Sequence, residues 1–331
     1  MWIIMPYKLK EPYRHKFKKP AYKPSNSRLY DESLKNRGSL TIWVSSDVIS
    51  KWKVDFSKIR KRGGQLLYSD FSIETCITLS FVFRQRLRQT EGLVESIVKL
   101  LGLELEVPDF TTISRRSKSI NVTAPAIRSD EGIVVSIDST GLKIYGEQEW
   151  QKEKYKLTKT RKSWRKLHIA VDDHGIILGS ELTFHDISDS ATAPNLLNQI
   201  SSPIDTVLGD GAYDQPSVYD AMIAHQEKYG NGLEIKAAIP PNLGFRPEMP
   251  TDSKLRVDNI RVFEKSRQRW QKHADYGRRA RAENGMYRYK TIIGNKLRSR
   301  SFSSQKTESK IAVNILNKMA GLGMPCSKKF A

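Results

Sequence analysis

Residues Gly132-Ile133-Val134-Val135-Ser136-Ile137-Asp138 form an apolar, mostly β-branched run that ends on a carboxylate. A run of this length and composition reads as a buried strand. Working outward, residues 164–172 alternate like a second strand, Asp173-His174-Gly175 turns the chain back, and residues 176–184 form a third. Residues 191–200 read as a helix. Residues 205–210 are a strand that again ends on a carboxylate, Asp210. Residues 216–226 are helical, and residues 233–239 form a strand stopped by Pro240-Pro241. Three consecutive strands, then helices and strands in alternation, predict an α/β domain. No internal repeat is evident.

The composition narrows the class. The chain has 331 residues, 56 Lys+Arg against 36 Asp+Glu, and a formal net charge of +20. At 38% hydrophobic it buries a real core. Two cysteines, Cys76 and Cys326, make neither a disulfide framework nor a Cys-rich zinc site, and they fit a reducing interior. No apolar run approaches the ~20 residues of a membrane helix. Residues 1–5 are too short for a signal-peptide apolar region and precede Pro6, and both Met1 and Met5 are candidate starts. The surplus of positive charge points to a polyanion, nucleic acid first.

That charge is clustered. Residues 1–30 hold eight Lys or Arg and one acid, Glu11, punctuated by four prolines and interleaved with Tyr and Phe. They read as an extended, flexible basic arm suited to phosphates, or as a solubilising tail. Residues 152–166, which include Lys162 and Arg165, carry eight Lys or Arg, and residues 265–300 carry twelve. Between the arm and the first strand, residues 72–102 turn helical, with Leu93, Ile97, Leu100 and Leu101 in one stripe and Gly102 placed as a C′ glycine. Asp109 caps a second helix that carries Thr111, Thr112, Arg115 and Arg116. The pair resembles a helix-turn-helix, with those four residues facing DNA, although an ordinary helical hairpin has a polar face too.

Asp138 and Asp210 each follow an apolar strand, where α/β sites usually form. A third acid, Glu283, lies in a stretch predicted to be one helix. There Tyr276, Arg279, Glu283 and Lys290 stand at offsets 0, 3, 7 and 14 and share a face. A phenol, a guanidinium, a carboxylate and an ammonium occupy a stripe where Leu or Ile is usual. By spacing alone this reads first as a solvated outer face of a helix buried elsewhere through Ala280, Met286 and Ile293.

Tyr276-x2-Arg279-x3-Glu283-x6-Lys290 fits the Y-x2-R-x3-E-x6-K signature of transposases of the insertion-sequence four and five families. Asp138 in Ser136-Ile137-Asp138-Ser139-Thr140 resembles their first acidic motif. Asp210 in Gly209-Asp210-Gly211-Ala212-Tyr213 resembles the second, often written D-x-G-Y, with Ala212 as a departure. Residues 88–92 and 108–112 also look like the N-terminal region of insertion-sequence five members. The resemblance spans roughly residues 70–295.

This resemblance implies a ribonuclease-H-like catalytic domain preceded by a mostly helical DNA-binding region. The divisions expected are a basic arm (1–30), a helical DNA-binding region (31–120), the catalytic domain (121–300) and a tail with a short helix (301–331). It implies a DDE transposase whose Asp138, Asp210 and Glu283 hold two Mg²⁺ ions, with Mn²⁺ as a substitute. Arg279 and Lys290 are then expected on phosphates and Tyr276 on the backbone beside the cut. The partners implied are double-stranded DNA, both terminal inverted repeats and target, with a homodimer on the DNA in the bacterial cytoplasm or nucleoid. A ribonuclease-H-like nuclease without strand transfer and a non-catalytic regulator derived from a transposase are the rivals.

The remaining polar residues have plain readings. Asp172 and Asp173 belong to a turn, Asp214 starts one, and Asp186 and Asp189, with His185, either lie near the first metal or cap the helix before Ala191. The six histidines lack zinc-ligand spacing, and no P-loop or G-x-G-x-x-G is present, so neither ATP nor a nicotinamide cofactor is expected.

Overall fold

The computed structural model describes residues 21–44, 50–54, 66–122, 129–144, 164–242 and 253–330. They divide into two units, Met1–Ser39 with Gly321–Ala331, and Leu40–Ala320.

In the smaller unit, β1 (Ala21–Pro24) pairs antiparallel with the last strand, β7 (Ser327–Phe330), and α1 (Ser27–Arg37) follows β1. Asn26 closes the pair by donating to the Met324 carbonyl at 2.9 Å and accepting from the Cys326 amide at 2.8 Å. Residues 21–30 are therefore not part of an extended arm. The backbone partners of residues 21–25 come from the other end of the chain, which no local reading reveals, and residues 27–30 belong to α1. The rest of that predicted arm, residues 1–20, lies outside the described residues.

The larger unit begins with α2 (Leu40–Trp43), α3 (Asp70–Val82), α4 (Leu87–Leu100) and α5 (Phe110–Arg116). Ser69 caps α3 by accepting the Ser72 amide at 3.1 Å. The single helical stretch predicted over 72–102 is broken at residues 83–86, where Arg84 takes φ +54°. On α4 the buried stripe is Thr90, Val94 and Ile97, whereas Leu100 and Leu101 are exposed. Gly102, at φ +63°, occupies the left-handed position that suits glycine. The cap at Asp109 is as expected: its carboxylate accepts the amides of Thr111 at 2.8 Å and Thr112 at 3.0 Å.

A five-stranded sheet follows, built from β2 (Ile133–Lys143), β3 (Trp164–Val171), β4 (Ile177–Phe184), β5 (Ile204–Leu208) and β6 (Lys236–Ala238). Its order is β4-β3-β2-β5-β6, with β2, β3 and β4 antiparallel and β2, β5 and β6 parallel. On one face, α6 (Asp189–Leu197) and α7 (Pro216–Tyr229) bury Val135, Ile137 and Val207. On the other lie α8 (Lys254–Lys265), α9 (Arg267–His273), α10 (Ala280–Arg288) and α11 (Phe302–Gly321). This mixed sheet flanked by helices is consistent with a ribonuclease-H-like domain.

The last helix is not short. α11 has 20 residues and serves two cores: Ile311, Ile315 and Met319 pack with α3, α4 and α5, while Ala312, Val313 and Leu316 pack under the sheet. A helix apolar on several faces reads weakly as amphipathic, so its depth of burial is not evident from periodicity.

Candidate active site

Asp138 is not at the end of its strand, because β2 runs on to Lys143. It stands instead where the parallel neighbour stops. Ser136 pairs with Leu208, the last residue of β5, and two residues further along each chain come Asp138 and Asp210. Strand side chains alternate between faces, so Val134, Ser136 and Asp138 share a face, the one where Val134 and Leu208 pack on Trp270. The Asp138 carboxylate accepts the Ser139 amide at 2.8 Å. Asp210 is the N-cap of a 3₁₀ turn, Gly211–Tyr213, and accepts the Ala212 amide at 2.9 Å.

The stretch carrying the third acid is not one regular helix. Tyr276–Arg279 is 3₁₀, Ala280–Arg288 is α, and Tyr289–Ile293 is a π turn. At about three residues per turn, Tyr276 and Arg279 lie one above the other. Several ties fix the segment to the sheet. Tyr276 donates to the Gly209 carbonyl at 3.1 Å, beside Asp210, and Ser136 donates to the Arg278 carbonyl at 3.3 Å. Arg278 reaches Asp173 in the β3–β4 turn, with Nε to Oδ1 at 2.9 Å. Asp172 organises that turn by accepting the amides of His174 and Ile176. Gly285 lets α10 approach: a Cβ there would meet Ile169 Cδ1 at 3.0 Å and Val171 Cγ2 at 3.2 Å.

These ties bring Arg279 between two of the acids. Its guanidinium is 3.9 Å from the Asp138 carboxylate and is ion-paired with Glu283. Partial burial holds the Asp138 carboxyl above the usual range; Asp210 and Glu283 push the same way, while the Ser139 amide and Arg279 oppose them. Burial likewise raises Tyr276, with Arg279 opposing. Among the described residues no three His, Cys, Asp or Glu side chains stand in a metal-holding arrangement, and the local countercharge is Arg279. The donors nevertheless fit a hard divalent cation in kind: all three are carboxylates, Asp138 and Asp210 half-buried and Glu283 exposed.

The other predicted contacts separate. Lys290, in the π turn, is exposed and makes no ion pair among the described residues. Thr111 and Thr112 donate their hydroxyls to Asp109, so both serve the cap. Arg115 is exposed, whereas Arg116 is buried against Asp70 at 2.5 Å and the Tyr68 carbonyl at 2.8 Å. The α5 cation facing solvent is therefore Arg115. Arg165 stacks over the rings of Phe184 and Phe302 and donates to Gln305 at 3.2 Å. Lys162 lies outside the described residues.

Other buried polar groups gave little or no sequence signal. Asp214 does not merely start a turn. It is fully buried, takes Arg256 Nε at 3.0 Å, and accepts from Tyr219 and the Asn242 amide. Removing one partner of such a pair costs about 3–5 kcal/mol. Asp189 sits one residue inside its helix, with Ser188 as the cap, and pairs with Lys166 at 3.0 Å, with His168 Nδ1 3.5 Å away. Burial raises the Tyr213 hydroxyl, and Asp189, Asp138 and Asp210 add to that in this order. Sequence separation hides all these pairings.

Two sequence profiles of known families match the chain, both described as the transposase DDE domain, over residues 35–147 and 130–317. The second covers more than half of the chain, and the chain belongs to the DDE transposases. It is a DNA transposase, an enzyme of DNA transposition and recombination. Among its described residues no helix is long and apolar enough to cross a membrane.

Proposed function

We propose that this transposase binds the terminal inverted repeats of an insertion sequence, cuts the DNA at the repeat boundary and joins the cut end to target DNA. Asp138, Asp210 and Glu283 would hold divalent ions, Mg²⁺ or Mn²⁺. Such ions supply an activated oxygen nucleophile and stabilise the leaving oxygen. The reading rests chiefly on one observation: Arg279 stands 3.9 Å from Asp138 and is ion-paired with Glu283, while Asp210 follows the β5 residue that pairs two positions before Asp138.

The chain's own groups then have definite work. Arg279 neutralises Asp138 and Glu283, and it would serve a phosphate where those acids held a divalent ion. Tyr276 holds the loop before Asp210, and exposed Lys290 and Arg115 lie ready for backbone phosphates. The protein works as a homodimer that pairs two DNA ends in the cytoplasm or nucleoid.

The test is a labelled terminal-repeat duplex incubated with protein, Mg²⁺ and target plasmid. Nicks at the repeat boundary and labelled joined products are expected. Nicks that never join under any condition would favour a nuclease, and binding without any cleavage would favour a regulator.

A further inference from the structure

The N-terminal helices and the start of α11 enclose a cleft of about 460 Å³ within the larger unit. Among the described residues its charged lining is one-sided: Arg86, Lys118, Arg298 and Arg300 line it with one acid, Glu308. Glu308 is buried, and its carboxylate oxygens accept the amides of Arg298 at 2.7 Å and Ser299 at 2.8 Å. Its role is to fold the 298–301 loop into the cleft wall. Arg298 is fixed by the carbonyls of Ser80 and Gln85 and by the Phe81 ring. Burial lowers the pKa of the Arg298 guanidinium, with Glu308 opposing and Arg86 and Arg84 adding to the shift. Ser117, Ser301 and Ser304 add hydroxyls to the same wall.

Resting on the proposed function, we infer that this cleft is a second DNA contact, which grips one stretch of phosphodiester backbone away from the catalytic acids. Guanidinium, ammonium and hydroxyl donors in one concavity match a phosphodiester. The location suits a duplex that also reaches the acids. Leu297, beside Arg298, donates its amide to the Lys143 carbonyl at 2.7 Å at the far end of β2. Lys143 is five residues beyond Asp138, about 17 Å at ~3.3 Å per residue. That is about half of the ~34 Å turn of a duplex. The cleft joins α3, α4 and α5 to α11, so one backbone grip involves both the region before the sheet and the helix after it.

Equilibrium binding is measured for the full chain on a terminal-repeat duplex and on an unrelated duplex, across a salt series. The proteins are wild type, Lys118→Ala, Arg300→Ala and Lys118→Arg. Both alanine variants should bind each duplex roughly tenfold more weakly, with the salt slope reduced by about one, and Lys118→Arg should match wild type. Wild-type affinity and slope in both alanine variants would overturn the inference. So would a loss confined to the terminal repeat with an unchanged slope, which marks base reading. A wild-type protein that binds neither duplex would instead defeat the proposed function, and the cleft with it.

Discussion

Tyr276 donates its hydroxyl to the Gly209 carbonyl at 3.1 Å, which ties the segment carrying Glu283 to the residue just before Asp210. The tie is a single hydrogen bond from a partly buried phenol whose ring also rests on Trp270. Tyr276→Phe keeps the ring contact and removes only the bond. Stability should fall by about 0.5–1.5 kcal/mol in urea titrations. Cleavage should fall further than that loss explains, with DNA affinity retained. Unchanged cleavage would mean that Asp210 does not depend on this tie.

Arg279 gives a different handle. It is the cation that Asp138 and Glu283 hold in this structure, so it and a metal compete for the same negative charge. In Arg279→Gln, thermal unfolding without metal should start lower, and added Mg²⁺ should raise the transition more than in wild type. Equal Mg²⁺ shifts in the two proteins would separate Arg279 from the metal-binding acids.

Gly285 sets the depth at which α10 lies on the sheet. A Cβ there already approaches Ile169 and Val171 at 3.0 and 3.2 Å, so a branched side chain must lift the helix. Gly285→Val should cost about 1–3 kcal/mol in chemical denaturation. It should also depress cleavage, because Glu283 is on the same helix.

What the sequence revealed, and what it hid, follow from the range of the forces involved. The strands over 133–138, 164–171 and 177–184 were legible because their apolar runs are local, and so was the cap at Asp109. Glu283 and its neighbours stood out because four polar groups occupy an apolar stripe. The change from 3₁₀ through α to π did not, since helix type depends on packing around Tyr289 and Gly285. Asp214 looked like a turn residue because its partner, Arg256, lies 42 residues away. Arg116 looked like a surface cation because Asp70 lies 46 residues before it.

His168 predicts a pH dependence. Burial lowers its pKa from the ordinary 6.5 to about 4, with Lys166 assisting and Asp189 and Glu181 opposing. Between those values the unfolded chain binds the extra proton. Stability should therefore fall as pH drops from 6.5 towards 4, by at most about 1.4 kcal/mol per unit, with no further loss from this group below 4. His168→Gln, which can keep a bond to Thr183, should show a shallower fall over that window in pH-dependent melting. A slope equal to wild type would mean that the buried imidazole is not the titrating group.

The central claim, that three acids cut DNA, meets its most direct test at Asp210. A terminal-repeat duplex labelled at one end is incubated with Mg²⁺ and either wild type or Asp210→Asn, with binding measured in parallel. Wild type should nick at the repeat boundary, and the variant should bind as well while nicking at least about a hundredfold more slowly, a loss of some 2.7 kcal/mol in transition-state stabilisation. Nicking by Asp210→Asn at the wild-type rate would contradict the assignment.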